Sequence, residues 1–107
     1  MTQPYALVLE DDPKLGVIFQ TALQQAGYDT DLDENGNRYR ALLNTRQPYL
    51  VILDLHLPFA FGGDILNEIR AKYPDTIVAV VTADLERIEG CKERHARRVD
   101  LANNLLR

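Results

Sequence analysis

Carboxylates follow two short hydrophobic runs of the chain at the point where each run ends. The acidic residues 10–12 come directly after the run Tyr5–Leu9, and Asp54 comes directly after the run Leu50–Leu53. If both runs are parallel strands of one sheet, their carboxyl ends meet at the same edge, where open α/β sheets build their sites. Carboxylates gathered there favour a hard divalent cation and, through it, phosphate chemistry. The sequence therefore predicts a Mg²⁺ site at this edge.

The position of each residue relative to the strands predicts its role. Asp11 and Asp54 are expected to bind Mg²⁺ directly, and Glu10 to reach the ion through a water molecule. The backbone carbonyl of His56 is a further candidate ligand, and this set suffices because Mg²⁺ keeps several waters and uses only one or two carboxylates. The Asp54 carboxylate can attack phosphorus and become an acyl phosphate. Thr82, which follows a third hydrophobic run, can donate its hydroxyl to a phosphoryl oxygen.

These side chains must be positioned by a sheet whose strands alternate with helices. The hydrophobic runs are apolar on both faces, which is typical of parallel strands covered by helices on both sides. A polar-rich edge strand is predicted at Tyr28–Leu32. The short connections imply right-handed crossovers and a doubly wound parallel α/β sheet. The predicted helices span residues 13–26, 36–45 and 64–73, a segment that begins at Asp84, and residues 99–106.

Length, composition and charge limit the classes of protein to which the chain can belong. Its 107 residues predict one domain, residues 1–107, with the 46% hydrophobic and 26% charged content of an ordinary globular protein. The net charge of −4 argues against a nucleic-acid-binding surface. No apolar stretch is long enough to span a membrane, and the N-terminus lacks the basic region of a secretory signal. The single cysteine, Cys91, excludes an internal disulfide and fits a reducing cytoplasm.

Four motifs resemble those of the receiver domain of two-component response regulators. Their order and spacing cover residues 5–92, which is most of the chain. Each motif is weak alone, and the combination at these intervals carries the resemblance. The motifs are LVLEDDP (Leu7–Pro13), VILDLHLP (Val51–Pro58), the pair Gly62-Gly63, and VVTAD (Val80–Asp84).

The resemblance implies a flavodoxin-like fold with strand order 2-1-3-4-5. It also implies that Asp54 accepts a phosphoryl group from a histidine kinase or a phosphotransfer protein, and that Thr82 contacts this group and acts as a switch. Such a domain is a regulatory phosphoacceptor rather than an enzyme with a separate substrate. Its output is a contact with another protein, made through a population shift between two packings.

The chain departs from the family pattern after its fourth predicted helix. Receiver domains have a fifth strand that ends in Lys-Pro, and the lysine binds the phosphoryl group. Here no apolar run remains in that region, and a short deletion between Glu93 and Val99 is the simplest interpretation. Arg97 or Arg98 is a candidate replacement for the lysine, although a planar guanidinium is not equivalent to a compact ammonium. The fifth strand is therefore expected to be missing or vestigial.

A missing fifth strand would leave the hydrophobic strand Ile77–Val81 at an open sheet edge, which proteins rarely tolerate. Two outcomes are expected. Either residues 97–101 form a brief substitute strand, or the edge pairs with another chain and the protein self-associates.

Three alternative interpretations bear on the same residues. Asp12, followed by Pro13, is better explained as a helix cap than as a metal ligand. A degenerate receiver that signals without phosphorylation is an alternative function, because the lysine is missing. A phosphatase with an aspartate nucleophile, of the haloacid-dehalogenase-like kind, would need a second acid two residues after Asp54. Since that position holds His56, the phosphatase is disfavoured.

Overall fold

A computed structural model describes residues 3–82 and the strand at residues 98–101, with Thr82 and that strand described by their backbone alone. The strands are β1 (Tyr5–Leu9), β2 (Asp29–Asp33), β3 (Leu50–Asp54), β4 (His56–Leu57), β5 (Ala60–Phe61), β6 (Ile77–Thr82) and β7 (Arg98–Leu101). The helices are α1 (Pro13–Gln25), α2 (Tyr39–Thr45) and α3 (Gly62–Lys72). None of the helices described is long and apolar enough to cross a membrane.

The main sheet has the strand order β2-β1-β3-β6-β7, and its first four strands are parallel. With β6 and β7 in the fourth and fifth places, this arrangement confirms the predicted doubly wound, flavodoxin-like fold. The register aligns the strand ends, because Leu9 of β1 lies between Asp33 of β2 and Leu53 of β3. The residues that follow β1 and β3 therefore meet at one edge, which we call the carboxyl edge.

The fifth strand of the sheet runs opposite to the other four. β7 pairs antiparallel with β6, from Thr82 opposite Arg98 to Ala79 opposite Leu101. Of the two outcomes expected for this edge, the structure has the substitute strand. Pairing with β7 satisfies the backbone groups on that side of β6. Self-association through an open β6 edge is therefore no longer expected.

The C-terminal helix predicted at residues 99–106 is wrong for residues 99–101, which belong to β7. Pairing with the hydrophobic edge of β6 outweighs the weak helical pattern there, because an unpaired buried backbone group costs about 1–3 kcal/mol. The helix predicted from Asp84, Cys91 within it, and Arg97 lie outside the described residues.

The two faces of the sheet bury different amounts of apolar surface among the described residues. On the face covered by α2 and α3, twelve buried side chains form one cluster, which includes Leu7, Leu53 and Ile65. On the α1 face the cluster has four: Val8, Ile52, Ala79 and Val81. Alternate residues of each strand enter opposite clusters, as the period of two in a strand requires.

The predicted N-terminus is confirmed for helix α1 but is wrong for helix α2. Helix α1 begins at Pro13, as predicted, and the Asp12 carboxylate accepts hydrogen bonds from the amides of Lys14 (2.9 Å) and Leu15 (3.4 Å). Helix α2 begins at Tyr39 rather than residue 36, because residues 34–38 form a loop. In that loop Gly36 has φ +85°, a conformation incompatible with a helix.

A short hairpin follows Asp54 at the end of β3. Strands β4 and β5 pair antiparallel, with His56 opposite Phe61 and Leu57 opposite Ala60. Helix α3 follows directly at Gly62, where a side chain would meet the Leu55 backbone at 2.7 Å. The hairpin thus folds back over the end of β3, and glycine is required where the chain turns into α3.

Candidate functional site

Three carboxylates converge at the carboxyl edge of the sheet. Glu10, Asp11 and Asp54 each offer an oxygen atom, and these oxygens all lie within 4.8 Å of one another. Glu10 and Asp54 are buried, with 0% and 2% of their surface exposed, whereas Asp11 is exposed. The cluster therefore has a buried floor and an open side. We call these three residues the acidic cluster.

The strand ends place the members of the cluster. Glu10 directly follows β1, and its backbone amide donates to the carbonyl oxygen of Asp33 at the end of β2 (3.3 Å). Asp54 is the last residue of β3 and pairs in register with Val81 of β6. Because β1 and β3 are hydrogen-bonded neighbours, the two buried carboxylates come from adjacent strands and their backbones are fixed by the sheet.

Backbone amides orient the Asp54 carboxylate. Its Oδ1 accepts a hydrogen bond from the His56 amide at 2.9 Å, and its Oδ2 accepts a longer one from the Asp11 amide at 3.5 Å. Burial by itself raises the pKa of Asp54, but hydrogen bonds from neighbouring side chains and from these amides outweigh burial and lower the pKa. The ionised form, which can bind a cation or attack phosphorus, is thus favoured.

Asp12 has the capping role that the sequence predicted for it. Its Oδ1 accepts the first amides of α1, as described above, and its own amide donates to Glu10 Oε2 at 3.2 Å. The carboxylate of Asp12 is not a member of the acidic cluster. Adjacent acids in the sequence therefore separate into a cluster residue, Asp11, and a cap, Asp12.

The remaining predicted site residues, His56 and Thr82, also lie at the carboxyl edge. The backbone of His56 reaches the site through its amide, while the residue itself is exposed. Thr82 is the last residue of β6, next to Val81, the register partner of Asp54. Its backbone therefore ends beside the acidic cluster. Arg98 pairs with Thr82 in the β6–β7 ladder, which puts the start of β7 at the same edge.

Sequence reasoning missed Asp33, a buried acid at the end of β2. Its carboxylate accepts three backbone hydrogen bonds, from Asn35 (3.3 Å), Gly36 (3.0 Å) and Arg38 (2.9 Å). The pair Asn35-Gly36, two residues after Asp33, is a turn signal that could have identified this loop. The hairpin β4–β5 had a weaker signal, because its strands are only two residues long.

The acidic cluster fits a Mg²⁺ ion by its chemistry and by its dimensions. Every candidate donor is a carboxylate or backbone oxygen, the ligand type that Mg²⁺ prefers. Oxygens that share one Mg²⁺ at about 2.1 Å lie at most about 4.2 Å apart. The oxygens of the acidic cluster lie within 4.8 Å of one another, close to this limit, and the exposed position of Asp11 leaves one side of the cluster open to solvent.

Comparisons with known proteins identify the family. A family model described as the response regulator receiver domain matches residues 6–99. The transcriptional regulatory protein BaeR of Escherichia coli O6:H1 is 35% identical over 86 residues, 80% of this chain and 35% of that protein. The response regulator protein PilR of Pseudomonas aeruginosa is 32% identical over 84 residues, 78% of this chain and 19% of that protein. The chain thus spans about a third or less of the curated relatives it matches.

Solved structures agree with this assignment. The non-phosphorylated HemR receiver domain of Leptospira biflexa is 31% identical with a TM-score of 0.71, covering 82% of this chain and 73% of that one. The response regulator TrrA of Thermotoga maritima, solved in complex with Mg²⁺-BeF, is 30% identical with a TM-score of 0.72, covering 81% of this chain and 76% of that one. Fold, motifs and family model agree: this chain belongs to the response regulator receiver domains, the regulatory domains of two-component systems.

Proposed function

We propose that residues 1–107 act as a cytoplasmic receiver domain that accepts a phosphoryl group on Asp54 with the help of Mg²⁺. The observation that carries the proposal is the convergence of Glu10, Asp11 and Asp54 within 4.8 Å at the carboxyl edge. Asp11 and Asp54 would bind the ion directly, the His56 carbonyl would be a further ligand, and Glu10 would act through a water molecule.

Each residue then has a chemical task in phosphoryl transfer. An ionised Asp54 oxygen forms a bond to phosphorus while the bond from phosphorus to the donor nitrogen of a phosphohistidine breaks, and the released imidazole keeps that electron pair and takes up a proton. The His56 amide holds the carboxylate in place during attack. Bound Mg²⁺ would neutralise the repulsion between the carboxylates and the incoming phosphoryl oxygens. Thr82 would donate its hydroxyl to one of those oxygens.

The comparisons support the metal and the partner by similarity. TrrA, at 30% identity, was solved with Mg²⁺-BeF, and the matched family consists of response regulator receivers. We infer that the donor is a sensor histidine kinase or a phosphotransfer protein. The output would be a contact with a downstream protein, made after the packing around Thr82 shifts in response to phosphate.

Intact-mass spectrometry tests this proposal directly. Wild-type protein is incubated with acetyl phosphate as the phosphodonor, with and without Mg²⁺, beside the variant Asp54→Asn. The asparagine retains the shape of the carboxylate but cannot form the acyl phosphate. We expect one added phosphoryl group on the wild type, only with Mg²⁺, and none on the variant.

The departure of β7 from the family pattern supports a second candidate function. The strand in the place of the one that should carry the phosphate-binding lysine runs antiparallel. The second candidate is therefore a degenerate receiver that keeps the fold and acts as an interaction module without phosphorylation. Folded wild-type protein that gains no phosphoryl group, from acetyl phosphate or from histidine kinases supplied with ATP, would favour this module. Equal phosphate uptake by Asp54→Asn would contradict the site assignment itself.

A further inference from the structure

The loop after β2 is organised by one buried carboxylate. Asp33 is 1% exposed, and its two side-chain oxygens accept the amides of Asn35, Gly36 and Arg38. Three hydrogen bonds to one ionised group fix the loop at residues 34–38, since charge-assisted bonds are the stronger kind. The loop therefore has a defined shape where an exposed connection would ordinarily be variable.

This loop contacts the hairpin β4–β5. The Asn35 carbonyl accepts a hydrogen bond from the amide of Phe59, at the tip of the hairpin, at 2.9 Å. Gly36 is buried against the hairpin, where an added Cβ would lie 3.1 Å from the Cβ of Ala60. The contact is thus made by one backbone hydrogen bond and by packing so close that an added methyl group would require the hairpin to move by a few tenths of an ångström. We call this contact the loop–hairpin junction.

The other end of the hairpin reaches the acidic cluster. His56 is the first residue of β4, and its amide donates to Asp54 Oδ1. It is also the residue whose carbonyl is the proposed Mg²⁺ ligand. Only Leu55 separates β3 from β4, so a displacement of the hairpin must move the His56 backbone relative to Asp54.

We propose that Asp33 and Gly36 are positioning residues for the acidic cluster. Asp33 holds the loop, Gly36 allows the hairpin to approach it, and the hairpin fixes the backbone of His56 beside Asp54. The expected effect on Mg²⁺ affinity rests on the function proposed above. The expected effect on the position of the His56 backbone does not, because it concerns the protein without metal.

Two glycines provide a matched pair of variants for the test. Gly36→Ala and Gly27→Ala both put a side chain at a positive φ, +85° and +98°, so both strain the backbone. An added Cβ at Gly27 has nothing within 4 Å, whereas at Gly36 it meets the hairpin. A difference between the two variants therefore reports on the junction and not on backbone strain.

Two readouts are taken on the full chain by amide-resolved NMR. In the absence of metal, we expect Gly36→Ala to shift the His56 amide resonance and to speed hydrogen exchange at Phe59, while Gly27→Ala leaves both unchanged. In a titration with Mg²⁺ alone, we expect the dissociation constant of Gly36→Ala to rise about tenfold, the lower end of the effect of lost outer-shell support. The dissociation constant of Gly27→Ala should match the wild type.

Substitutions at Asp33 provide an independent test. Asp33→Asn keeps one oxygen acceptor, so it should preserve part of the loop, whereas Asp33→Ala keeps none. We expect the Mg²⁺ dissociation constant and the His56 shift to change more for alanine than for asparagine. Should Asp33→Ala fail to fold, the glycine pair still decides the question.

The outcomes separate this inference from the proposed function. If Gly36→Ala behaves as Gly27→Ala does at His56 and Phe59, the positioning role is wrong. If the wild type binds no Mg²⁺, the proposed metal site is wrong, and the metal-free His56 and Phe59 readouts still decide the positioning role. If Gly36→Ala moves His56 but leaves Mg²⁺ affinity unchanged, the part of the inference that concerns the metal is overturned.

Discussion

Two neighbouring acids at the start of α1 have different physical roles. Asp11 contributes an oxygen to the acidic cluster, while Asp12 satisfies amides at the first turn of the helix. The roles diverge because successive residues leave the end of β1 in different directions, one toward the carboxyl edge and one toward the helix axis. Their substitutions should therefore have separable effects on stability and on metal binding.

We expect Asp12→Ala to lower the free energy of unfolding by about 1 kcal/mol, the usual effect of losing an N-cap. Its Mg²⁺ affinity should be unchanged, since the carboxylate lies outside the cluster. Asp11→Ala should leave the free energy of unfolding unchanged. It should weaken Mg²⁺ binding on the order of tenfold, because it removes a charged ligand. Urea unfolding measures the stability of both variants, and Mg²⁺ titration measures their affinity for the ion. Weaker Mg²⁺ binding by Asp12→Ala would contradict the separate roles of Asp11 and Asp12.

Sequence reasoning succeeded for residues at strand ends and failed for residues that act through a loop. Glu10, Asp11 and Asp54 could be predicted to meet because parallel strands end at one edge, and the register is set by the hydrophobic pattern. Asp33 ends a strand too, but its role depends on the conformation of residues 34–38 and on a hairpin far along the chain. No local pattern encodes that contact.

Helices α2 and α3 are linked by a hydrogen-bonded group that bridges their polar faces. The Tyr39 hydroxyl donates to Glu68 Oε1 at 2.6 Å, and Arg40 forms an ion pair with Glu68 at 3.0 Å. Desolvation by burial and the hydrogen bond to Glu68 raise the pKa of Tyr39 to about 12. Because the pKa in the folded state is raised, this phenol stabilises the protein below its ordinary pKa of 10.0 and loses that effect as pH rises through about 12.

Tyr39→Phe should lower the free energy of unfolding by about 1 kcal/mol at neutral pH, as for loss of one hydrogen bond to a partly exposed charged group. It should also reduce the loss of stability between pH 10 and about 12. Urea unfolding of both proteins across that range tests the prediction. An identical pH dependence in the two proteins would show that Tyr39 does not contribute to it.

The strand β7 was predicted only as one of two outcomes, from the need to cover the β6 edge, and its antiparallel direction could not be predicted from its sequence. Its residues, Arg-Val-Asp-Leu, contain no apolar run, and their pairing is dictated by the exposed edge of β6 rather than by their own pattern. The four parallel strands were predictable because three of them contain an apolar run of at least four residues. One consequence of the β7 register concerns charge, since it pairs Arg98 with Thr82 at the carboxyl edge.

Of the two arginines considered as a replacement for the missing lysine, we expect Arg98 to take the role of binding the phosphoryl group. Arg98→Ala should slow phosphoryl uptake by Asp54 at saturating Mg²⁺, because a positive charge at that edge would stabilise the phosphoryl oxygens. Arg46→Ala is the control: its ion pair with Asp29 lies at the start of β2, the other end of the sheet. Equal rates for the two variants, measured by intact mass over time, would exclude Arg98.

At the scale of the whole molecule, the sheet depends on β7 to cover one edge of an apolar strand. Removal of residues 98–107 should expose the β6 edge and cause self-association, whereas removal of residues 102–107 should leave the β6–β7 pairing in place. Sedimentation velocity over a range of protein concentrations compares the two truncations. A monomeric product after removal of residues 98–107 would show that β7 is not needed to cover the edge.

The antiparallel direction of β7 also has a consequence for the length of chain that the sheet needs after β6. A parallel fifth strand requires the chain to travel back along the full length of β6, about 20 Å for six residues at about 3.3 Å each, before it pairs. An antiparallel strand starts where β6 ends and needs no such return. A short connection after β6 is therefore compatible with an antiparallel edge strand, and the sheet keeps five strands.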